Sequence, residues 1–304
     1  MSLKRIFKFL IFVLIISSCI IFREDISNYI LENFVINKKI VVTEANTYYK
    51  SYDYGYVKLT TDFEAKSKQD LLNIFYTILD SGWTSFTFYC DKDYESCYDD
   101  ITYMTRESDV LSSLNNMVNP YNSYKFLSFE ISNFGKVSVN IDKLYNEEEI
   151  NYVDNEIEKI MSEIINDTMT TKEKIKAFHD YIINKINYDT SLNMEKNGSN
   201  KAYGALVNEK AVCSGYSDLM AIFLDKLGIK NYKIINEEHV WNFALVDNEW
   251  LHIDLTWDDP TTSSGKDVLI HDFFLIDTEK LESISKKLKN EQHEFDKNIY
   301  IEAN

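Results

Sequence analysis

The sequence is poor in the residues that interrupt regular structure. Its 304 residues include only 8 glycines and 2 prolines, and no internal repeat is visible. Hydrophobic residues make up 45% of the chain, which is enough for a sizeable core. This composition argues against a disordered chain, and the length predicts one or two domains.

Basic residues are also in deficit. The chain carries 49 Asp and Glu against 32 Lys and Arg, for a net charge of -17. Nucleic-acid-binding proteins use a basic face to neutralise phosphates, so we expect no nucleic-acid partner. The acidity indicates little else, because a negative surface mainly serves solubility.

Metal-binding patterns are missing too. The sequence contains neither a C-x-x-C nor an H-E-x-x-H pattern. Four of the five histidines, His179, His252, His271 and His293, are scattered without paired spacing. We therefore expect neither a metal nor any other cofactor for catalysis. Regulation by calcium stays open, and Asp258-Asp259 is the first place to look for it.

The four cysteines fall into three groups. Cys19 lies in the apolar N-terminal segment, Cys90 and Cys97 are seven positions apart, and Cys213 stands alone. Two outcomes are open for the middle pair. They form a disulfide if this region lies outside the cell, or they remain two free thiols.

The N-terminus has the pattern of a targeting or anchoring segment. Lys4, Arg5 and Lys8 precede an almost wholly apolar run at residues 9–22. This favours an uncleaved signal-anchor that crosses the membrane once, with the cationic flank in the cytoplasm and the bulk of the chain outside. The alternative is a lipoprotein anchored at Cys19, because the residues leading to this cysteine resemble a bacterial lipobox.

Sequence patterns divide the chain into three regions. Residues 1–39 form the anchor and a juxtamembrane segment, residues 40–145 a small α+β domain, and residues 146–304 the domain with the chemistry. Within the second region we predict a strand at residues 56–60 and a helix capped by Ser67. We find no catalytic constellation there and interpret the region as a spacer or substrate-presenting module.

Cys213 lies at the start of a predicted buried helix. The residues after it are apolar at helical spacing, and Gly228 follows the last of them. The N–H groups and the dipole of a helix N-terminus favour negative charge, so a thiol at this position is easier to ionise. An ordinary buried cysteine is the alternative.

Two strand patterns flank a turn signal at Asp247-Asn248 and predict an antiparallel hairpin. In the register set by a two-residue loop, Asp254 lies on the same face as His239, within reach of a carboxylate–imidazole hydrogen bond. His252 shares that face and is a rival base by register alone. Together with Cys213, these residues make a nucleophile, a base and a residue that orients the base.

Three stretches resemble the motifs of the transglutaminase-like superfamily, a branch of the papain-like cysteine enzymes. Those motifs are G-x-C-x-G-Y, H-x-W-N and D-x-T-W-D-D-P, and here they stand at residues 211–216, 239–242 and 254–260, with Ala211 in place of the first glycine. The resemblance implies that Cys213 is the nucleophile, His239 the base and Asp254 its orienter. It decides against His252.

The resemblance also implies the fold. We expect an α+β protein with a papain-like, transglutaminase-like core, in which helices pack on an antiparallel sheet, preceded by the small α+β domain and the hydrophobic anchor. Aromatic residues beside the triad line the cleft in this family, so Trp241 and Trp257 are candidate cleft residues. Tyr203 is a candidate oxyanion donor. Core packing is the alternative for all three.

The implied activity is extracytoplasmic acyl transfer on protein or peptide amides through a thioester. Hydrolysis of the thioester would make the protein a peptidase or amidase, and aminolysis would make it a transglutaminase. The sequence does not choose between them. The competing hypothesis is a non-catalytic surface module that binds peptide or cell wall. The expected partners are a protein or peptide substrate, including cell-wall material, and the membrane through the N-terminal segment.

Overall fold

The protein has a mixed α+β architecture. The structure is a computed structural model that describes residues 3–30, 40–106, 109–132, 135–191, 194–259 and 269–304. The helices are α1 Leu3–Ile21, α2 Arg23–Ile30, α3 Lys68–Asp80, α4 Cys97–Arg106, α5 Asp109–Met117, α6 Glu147–Ile164, α7 Thr171–Lys185, α8 Met194–Asn197, α9 Ala202–Asn208, α10 Cys213–Lys226 and α11 Thr278–Leu288. The strands are β1 Glu64–Ala65, β2 Ser85–Cys90, β3 Tyr124–Ile131, β4 Lys136–Lys143, β5 Asn187–Tyr188, β6 Lys210–Ala211, β7 Asn231–Ile235, β8 Val240–Val246, β9 Glu249–Ile253 and β10 Phe274–Ile276.

The first sheet has the strand order β1-β2-β4-β3. Strand β1 runs parallel to β2, and the other pairs are antiparallel. Helix α3 begins where predicted, because the side chain of Ser67 accepts a hydrogen bond from the backbone N–H of Asp70. Its buried face packs on the sheet, as the edge-to-face contact between Phe75 and Phe88 shows.

Cys90 and Cys97 are joined by a disulfide. The bond links the end of β2 to the first residue of α4, with the two Cα atoms 6.1 Å apart. Of the two outcomes that the sequence left open, the structure therefore has the cross-linked one.

The strand predicted at residues 56–60 is wrong. The backbone there makes hydrogen bonds within turns and with side chains, and not with a neighbouring strand. The N–H of Tyr54 donates to the carbonyl of Val57, and the N–H of Lys58 donates to the side chain of Asn73. The short strand β1 follows a few residues later.

The second sheet is fully antiparallel, with the order β10-β9-β8-β7. Val246 pairs with Glu249, as the predicted hairpin register requires. Asp247 and Asn248 both have positive φ values, of 53° and 68°. Positive φ at both central residues is the signature of the type I′ turn, which matches the twist of a hairpin and fixes its register.

Helix α10 packs against this sheet, and helix α7 packs on α10. Helix α10 lies against β8, where Asn242 donates its side-chain N–H to the carbonyl of Ser217 over 2.9 Å. Helix α7 packs on α10 through the stacked rings of Phe178 and Phe223, whose centroids are 4.0 Å apart. A capping box between Thr170 and Glu173 fixes the start of α7. The expected core of helices packed on an antiparallel sheet is therefore observed.

The apolar core crosses the predicted boundary at residue 145. One hydrophobic cluster includes Phe88 of the first sheet together with Tyr232 and Trp241 of the second. The division into domains at residues 39 and 145 stays a prediction.

Helices α1 and α2 form the N-terminal part of the described chain, and Cys19 is an exposed free cysteine on α1. Among the described residues, no helix combines the length and the apolar character that crossing a membrane requires. The transmembrane helix predicted around residues 9–22 is therefore not supported. The juxtamembrane segment at residues 31–39 lies outside the described residues.

Candidate active site

Cys213 is the first residue of α10, as predicted. The preceding residue, Val212, has an extended backbone and gives the helix no side-chain cap. The first-turn N–H groups of the helix are therefore not capped by Val212 and point towards the region of the sulfur. The thiol of Cys213 is free and partly exposed.

Gly215 fixes how the chain passes the start of α10. A Cβ atom at this position would lie 2.4 Å from the carbonyl oxygen of Ser199. That carbonyl accepts the backbone N–H of Val212 over 3.0 Å, and the Ser199 hydroxyl donates to the carboxylate of Asp189. The glycine therefore permits the segment around Ser199 to pack directly on the residues that carry the thiol.

His239 lies between Asp254 and Cys213. Its Nε2 is 2.6 Å from Oδ2 of Asp254, and its ring lies parallel to Trp241 at 5.6 Å. The side chain of Cys213 also acts on the ring, because it contributes to raising the pKa of His239. Because Nε2 faces the carboxylate, Nδ1 is the nitrogen that remains for the sulfur. The structure thus pairs His239 with Asp254, as the motifs indicate, and the role of Cys213 as their nucleophile stays a prediction.

The charges around His239 hold it protonated. Burial alone lowers the pKa of an imidazole, but the Asp254 carboxylate and, to a smaller extent, Cys213 outweigh it and raise the pKa of His239 to about 10. The ring therefore carries a positive charge at neutral pH.

Asp254 is buried but accepts hydrogen bonds at both carboxylate oxygens. Its Oδ1 accepts the backbone N–H groups of Thr256 and Trp257 at 3.0 and 3.2 Å. Its Oδ2 accepts from His239 and from His293, the latter at 2.8 Å. Burial raises the pKa of a carboxyl group, but the two histidines reverse this and hold the pKa of Asp254 well below its ordinary value.

His293 was missed as a site residue. It lies beyond α11, is 5% exposed, and stacks on Phe273 with centroids 4.8 Å apart. Its Nδ1 and the hydroxyl of Ser285 are the buried side-chain polar atoms without a hydrogen-bond partner among the described residues. Both residues line a cavity of about 520 Å³ between the end of α11 and the segment that follows it. No short motif joins His293 to Asp254, 39 positions away, so sequence spacing carries no signal for it.

His252, the rival base, is part of the core. Its Nδ1 accepts the indole N–H of Trp241 at 3.0 Å, and its Nε2 lies 3.1 Å from the hydroxyl of Thr278. Burial and the neighbouring His293 lower the pKa of His252 to about 3. This ring is therefore neutral at physiological pH.

The candidate cleft residues are placed unequally. Trp241 is 1% exposed and supports His239 from behind, so it does not line an open cleft. Trp257 is half-buried and packs on Phe273 and His293. Tyr203 lies on α9, where its ring makes an edge-to-face contact with Tyr152 of α6.

Tyr188 is a second residue that the motifs did not indicate. It is half-buried on β5 and pairs with Ala211, two residues before Cys213. Burial and, to a smaller extent, Cys213 raise the pKa of the Tyr188 hydroxyl. The pairing joins segments more than 20 positions apart, so no local pattern could reveal it.

Asp258 and Asp259 tie the site to the helices. Asp258 accepts the backbone N–H of Phe273 at 3.0 Å and lies 3.1 Å from Nε2 of His179 on α7. Asp259 accepts the hydroxyl of Tyr216 on α10. Both carboxylates are buried, and these bonds commit at least three of their four oxygens to the protein's own groups.

Comparison with known families agrees with the motifs. Residues 158–255 match the model of the Transglutaminase-like superfamily. The matched region contains Cys213, His239 and Asp254, so the resemblance to that superfamily is confirmed for this part of the chain. A search of curated proteins gives no significant match.

Two solved structures are distantly similar. A crystal structure of a TGase shares 17% identity, with 44% of each chain covered and a TM-score of 0.32. A candidate cysteine protease from Cytophaga hutchinsonii shares 13% identity over 43% of this chain and 61% of its own, with a TM-score of 0.27. This chain thus spans less than two thirds of either structure. Likeness at this level establishes neither activity nor substrate.

Replacing Asp254 by Asn tests the orienting carboxylate. The Asn oxygen can still accept the N–H groups of Thr256 and Trp257, but its amide then presents hydrogens to the two histidines. We expect the neutral ring of His239 to carry its proton on Nδ1. That nitrogen then cannot accept a proton from the Cys213 thiol. The comparable change in a serine triad lowers turnover on the order of ten-thousand-fold. Here we expect the alkylation rate of Cys213 to fall by about 100-fold or more. Alkylation rates of Cys213 against pH provide the measurement, and rates equal to those of the parent would contradict the role.

His293→Phe tests the second histidine. Phe keeps the stack on Phe273 but removes the hydrogen bond to Asp254, which as a bond to a charged group is worth about 1.5–3 kcal/mol. We expect turnover to fall roughly tenfold and the alkaline limb of the Cys213 alkylation profile to shift upward, because a less neutralised Asp254 holds the His239 proton more tightly. His252→Phe is the control that removes a neighbouring buried histidine. An identical alkylation profile in the His293→Phe and parent proteins would mean that His293 contributes only to packing.

Proposed function

Since residues 158–255 form a transglutaminase-like domain, we propose that this protein catalyses cysteine-dependent acyl transfer on the amide groups of proteins or peptides. The observation that carries the proposal is the position of His239. One ring nitrogen faces a buried carboxylate, and the other is left for a partly exposed thiol at a helix N-terminus. An ordinary buried cysteine has neither neighbour.

The proposed reaction starts from an ion pair. The Cys213 thiolate attacks the carbon of an amide carbonyl, and a C–S bond forms while the carbonyl oxygen takes up negative charge. His239 then donates its Nδ1 proton to the amide nitrogen, the C–N bond breaks, and an amine or ammonia leaves. A thioester on Cys213 remains. Asp254 keeps the ring in the tautomer and orientation that point this proton at the sulfur side.

The start of α10 is the proposed place for the oxyanion. The backbone N–H groups of Cys213 and its successor lie in the first turn of a helix, where intrahelical acceptors are missing. Such groups stabilise a developing negative charge and require no reorganisation. Tyr188, which pairs with Ala211 two residues before Cys213, is a second candidate donor for this region, whereas the ring of Tyr203 packs on α6.

The thioester is resolved by water or by an amine. His239, now neutral, takes a proton from the attacking group in either case. Water gives hydrolysis, as in a peptidase or amidase, and an amine gives a new amide bond, as in a transglutaminase. The non-catalytic alternative is a surface module that binds peptide or cell wall with the same fold.

The first test compares two cysteines of one chain. We expect iodoacetamide at pH 7 to alkylate Cys213 at least about tenfold faster than Cys19, an exposed free cysteine that serves as an internal reference. The rates come from mass spectrometry of tryptic peptides. In His239→Gln, the advantage of Cys213 should disappear. Equal rates in the parent would sink the nucleophile assignment and favour the binding module.

The reaction outcome is then read from products. A glutamine-containing protein substrate incubated with dansylcadaverine should release ammonia, and the dye is incorporated only if an amine can resolve the thioester. Hydroxylamine should trap the acyl group as a hydroxamate in both cases. Cys213→Ser is the blank.

We place this activity outside the cytoplasm. The positive N-terminus with its apolar run supports export, and the Cys90–Cys97 disulfide is typical of an oxidising compartment. The tether is either the N-terminal segment itself or a lipid on Cys19, and the substrates are then surface proteins or cell-wall peptides.

We expect protease added to intact cells to remove residues beyond 40, with fatty-acid labelling lost in Cys19→Ala only for the lipoprotein. Protection from protease, with a surface control cut, would contradict export.

A further inference from the structure

A second cluster of ionisable groups lies apart from Cys213. His179 and Asp180 are neighbours on α7, and His271 lies just before β10. Oδ1 of Asp180 is 3.0 Å from Nδ1 of His179 and 2.7 Å from Nε2 of His271. The two imidazole rings stack with centroids 5.3 Å apart. Two imidazole nitrogens thus converge on one carboxylate oxygen.

The hydrogen bonds of this cluster cannot all be satisfied. Nε2 of His271 lies 2.7 Å from the Asp180 carboxylate and 2.9 Å from the ammonium of Lys176. One ring nitrogen either donates its hydrogen to the carboxylate or accepts one from the ammonium, but not both. Lys176 is also paired with Asp180. His179, Asp180 and His271 therefore surround a position suited to a cation. The Lys176 ammonium fits this position poorly.

The buried side of the cluster has the support that metal ligands usually have. Nε2 of His179 lies 3.1 Å from Oδ2 of Asp258, and both side chains are fully buried. Histidines that bind metals commonly donate the hydrogen of their other nitrogen to a carboxylate, which fixes the ring and the free lone pair. Asp258 would leave Nδ1 of His179 aimed at Asp180.

The geometry points to a binding site for a divalent transition-metal ion, with Nδ1 of His179, a carboxylate oxygen of Asp180 and Nε2 of His271 as its ligands. Two imidazoles and one carboxylate suit zinc, with water as a fourth ligand. Ligands about 2.0–2.1 Å from zinc lie roughly 3.3 Å from one another, so the two separations from Asp180, of 3.0 and 2.7 Å, need only a small expansion, and all three ligand atoms lie within 4.8 Å of one another. The side chains of Asp180 and His271 are 26% and 33% exposed, which gives an ion access from solvent.

Such an ion would brace the proposed active site without taking part in its chemistry. It would join α7 to the segment before β10. Through Asp258, whose backbone N–H donates to the carbonyl of Asp254 over 3.2 Å, it would also hold the turn that carries the orienting carboxylate. The site goes beyond the proposed acyl transfer and can exist whether or not that proposal holds.

The His239–Asp254–His293 group is the other place where ionisable side chains could hold a metal among the described residues. All three of its members are buried, and its carboxylate oxygens already accept four hydrogen bonds. We therefore place the ion at the partly exposed cluster.

The test is zinc binding to the full chain in a Cys19→Ser, Cys213→Ser background, which removes the free thiols. A competing fluorescent chelator reports the affinity, and cobalt substituted for zinc reports four-coordinate geometry by its visible absorption. We expect one zinc per chain, bound at least about 100-fold more weakly in His271→Ala. We expect it to be bound about tenfold more tightly in Lys176→Met, which removes the competing ammonium.

His293→Phe is the matched control for the other cluster and should bind zinc like the parent. Asp180→Asn gives a second reading on a partly exposed ligand, and circular dichroism confirms that each variant is folded. Parent-like affinity in folded His271→Ala, or loss of binding only in His293→Phe, would overturn the assignment. So would a Lys176→Met protein that binds zinc no more tightly than the parent.

Discussion

The structure around the candidate nucleophile depends on one buried carboxylate. Asp254 accepts four hydrogen bonds, two from its own turn and two from histidines on other segments. A buried charge is costly unless it is paired and fully hydrogen-bonded, so each donor is needed for the charge to persist. The turn at Thr256, the ring of His239 and the C-terminal segment at His293 are therefore positioned by the same two oxygens. We therefore expect a change far along the chain, at His293, to affect Cys213 through Asp254 and His239.

Local spacing predicted the parts of the site that belong to single elements. The start of α10 at Cys213 and the register that puts Asp254 beside His239 follow from the 3.6- and 2-residue periods of helix and strand. Residues that reach the site from elsewhere were beyond prediction. His293 and Tyr188 reach it only through the packing of separate elements, and no periodicity within one element encodes such a meeting. The same holds for His179, which sequence spacing indicated as an isolated helix histidine and which lies against Asp258.

Residues 40–145 show which features of the fold sequence patterns do not predict. The helix capped by Ser67 forms as predicted, whereas the strand predicted at residues 56–60 does not form, because its backbone makes hydrogen bonds within turns and with side chains. An apolar face indicates that something must cover it, but not what. Here the cover is in part the second sheet, since Phe88 and Trp241 belong to one hydrophobic cluster. Lys50 adds a polar link, because its ammonium lies 3.3 Å from Asp225 of α10.

The protonation of His239 decides which step the ring would serve. In a serine triad the imidazole is neutral and must remove a proton from the nucleophile. With the pKa of His239 at about 10, the proton is already on the ring before substrate arrives, and donation to the leaving nitrogen becomes its task. Part of that raised pKa comes from Cys213, and in the proposed reaction this contribution would end once the sulfur is bonded to the acyl carbon. In that proposed reaction, formation of the C–S bond would therefore lower the pKa of His239 and make the ring a stronger acid at the step in which the leaving group needs the proton.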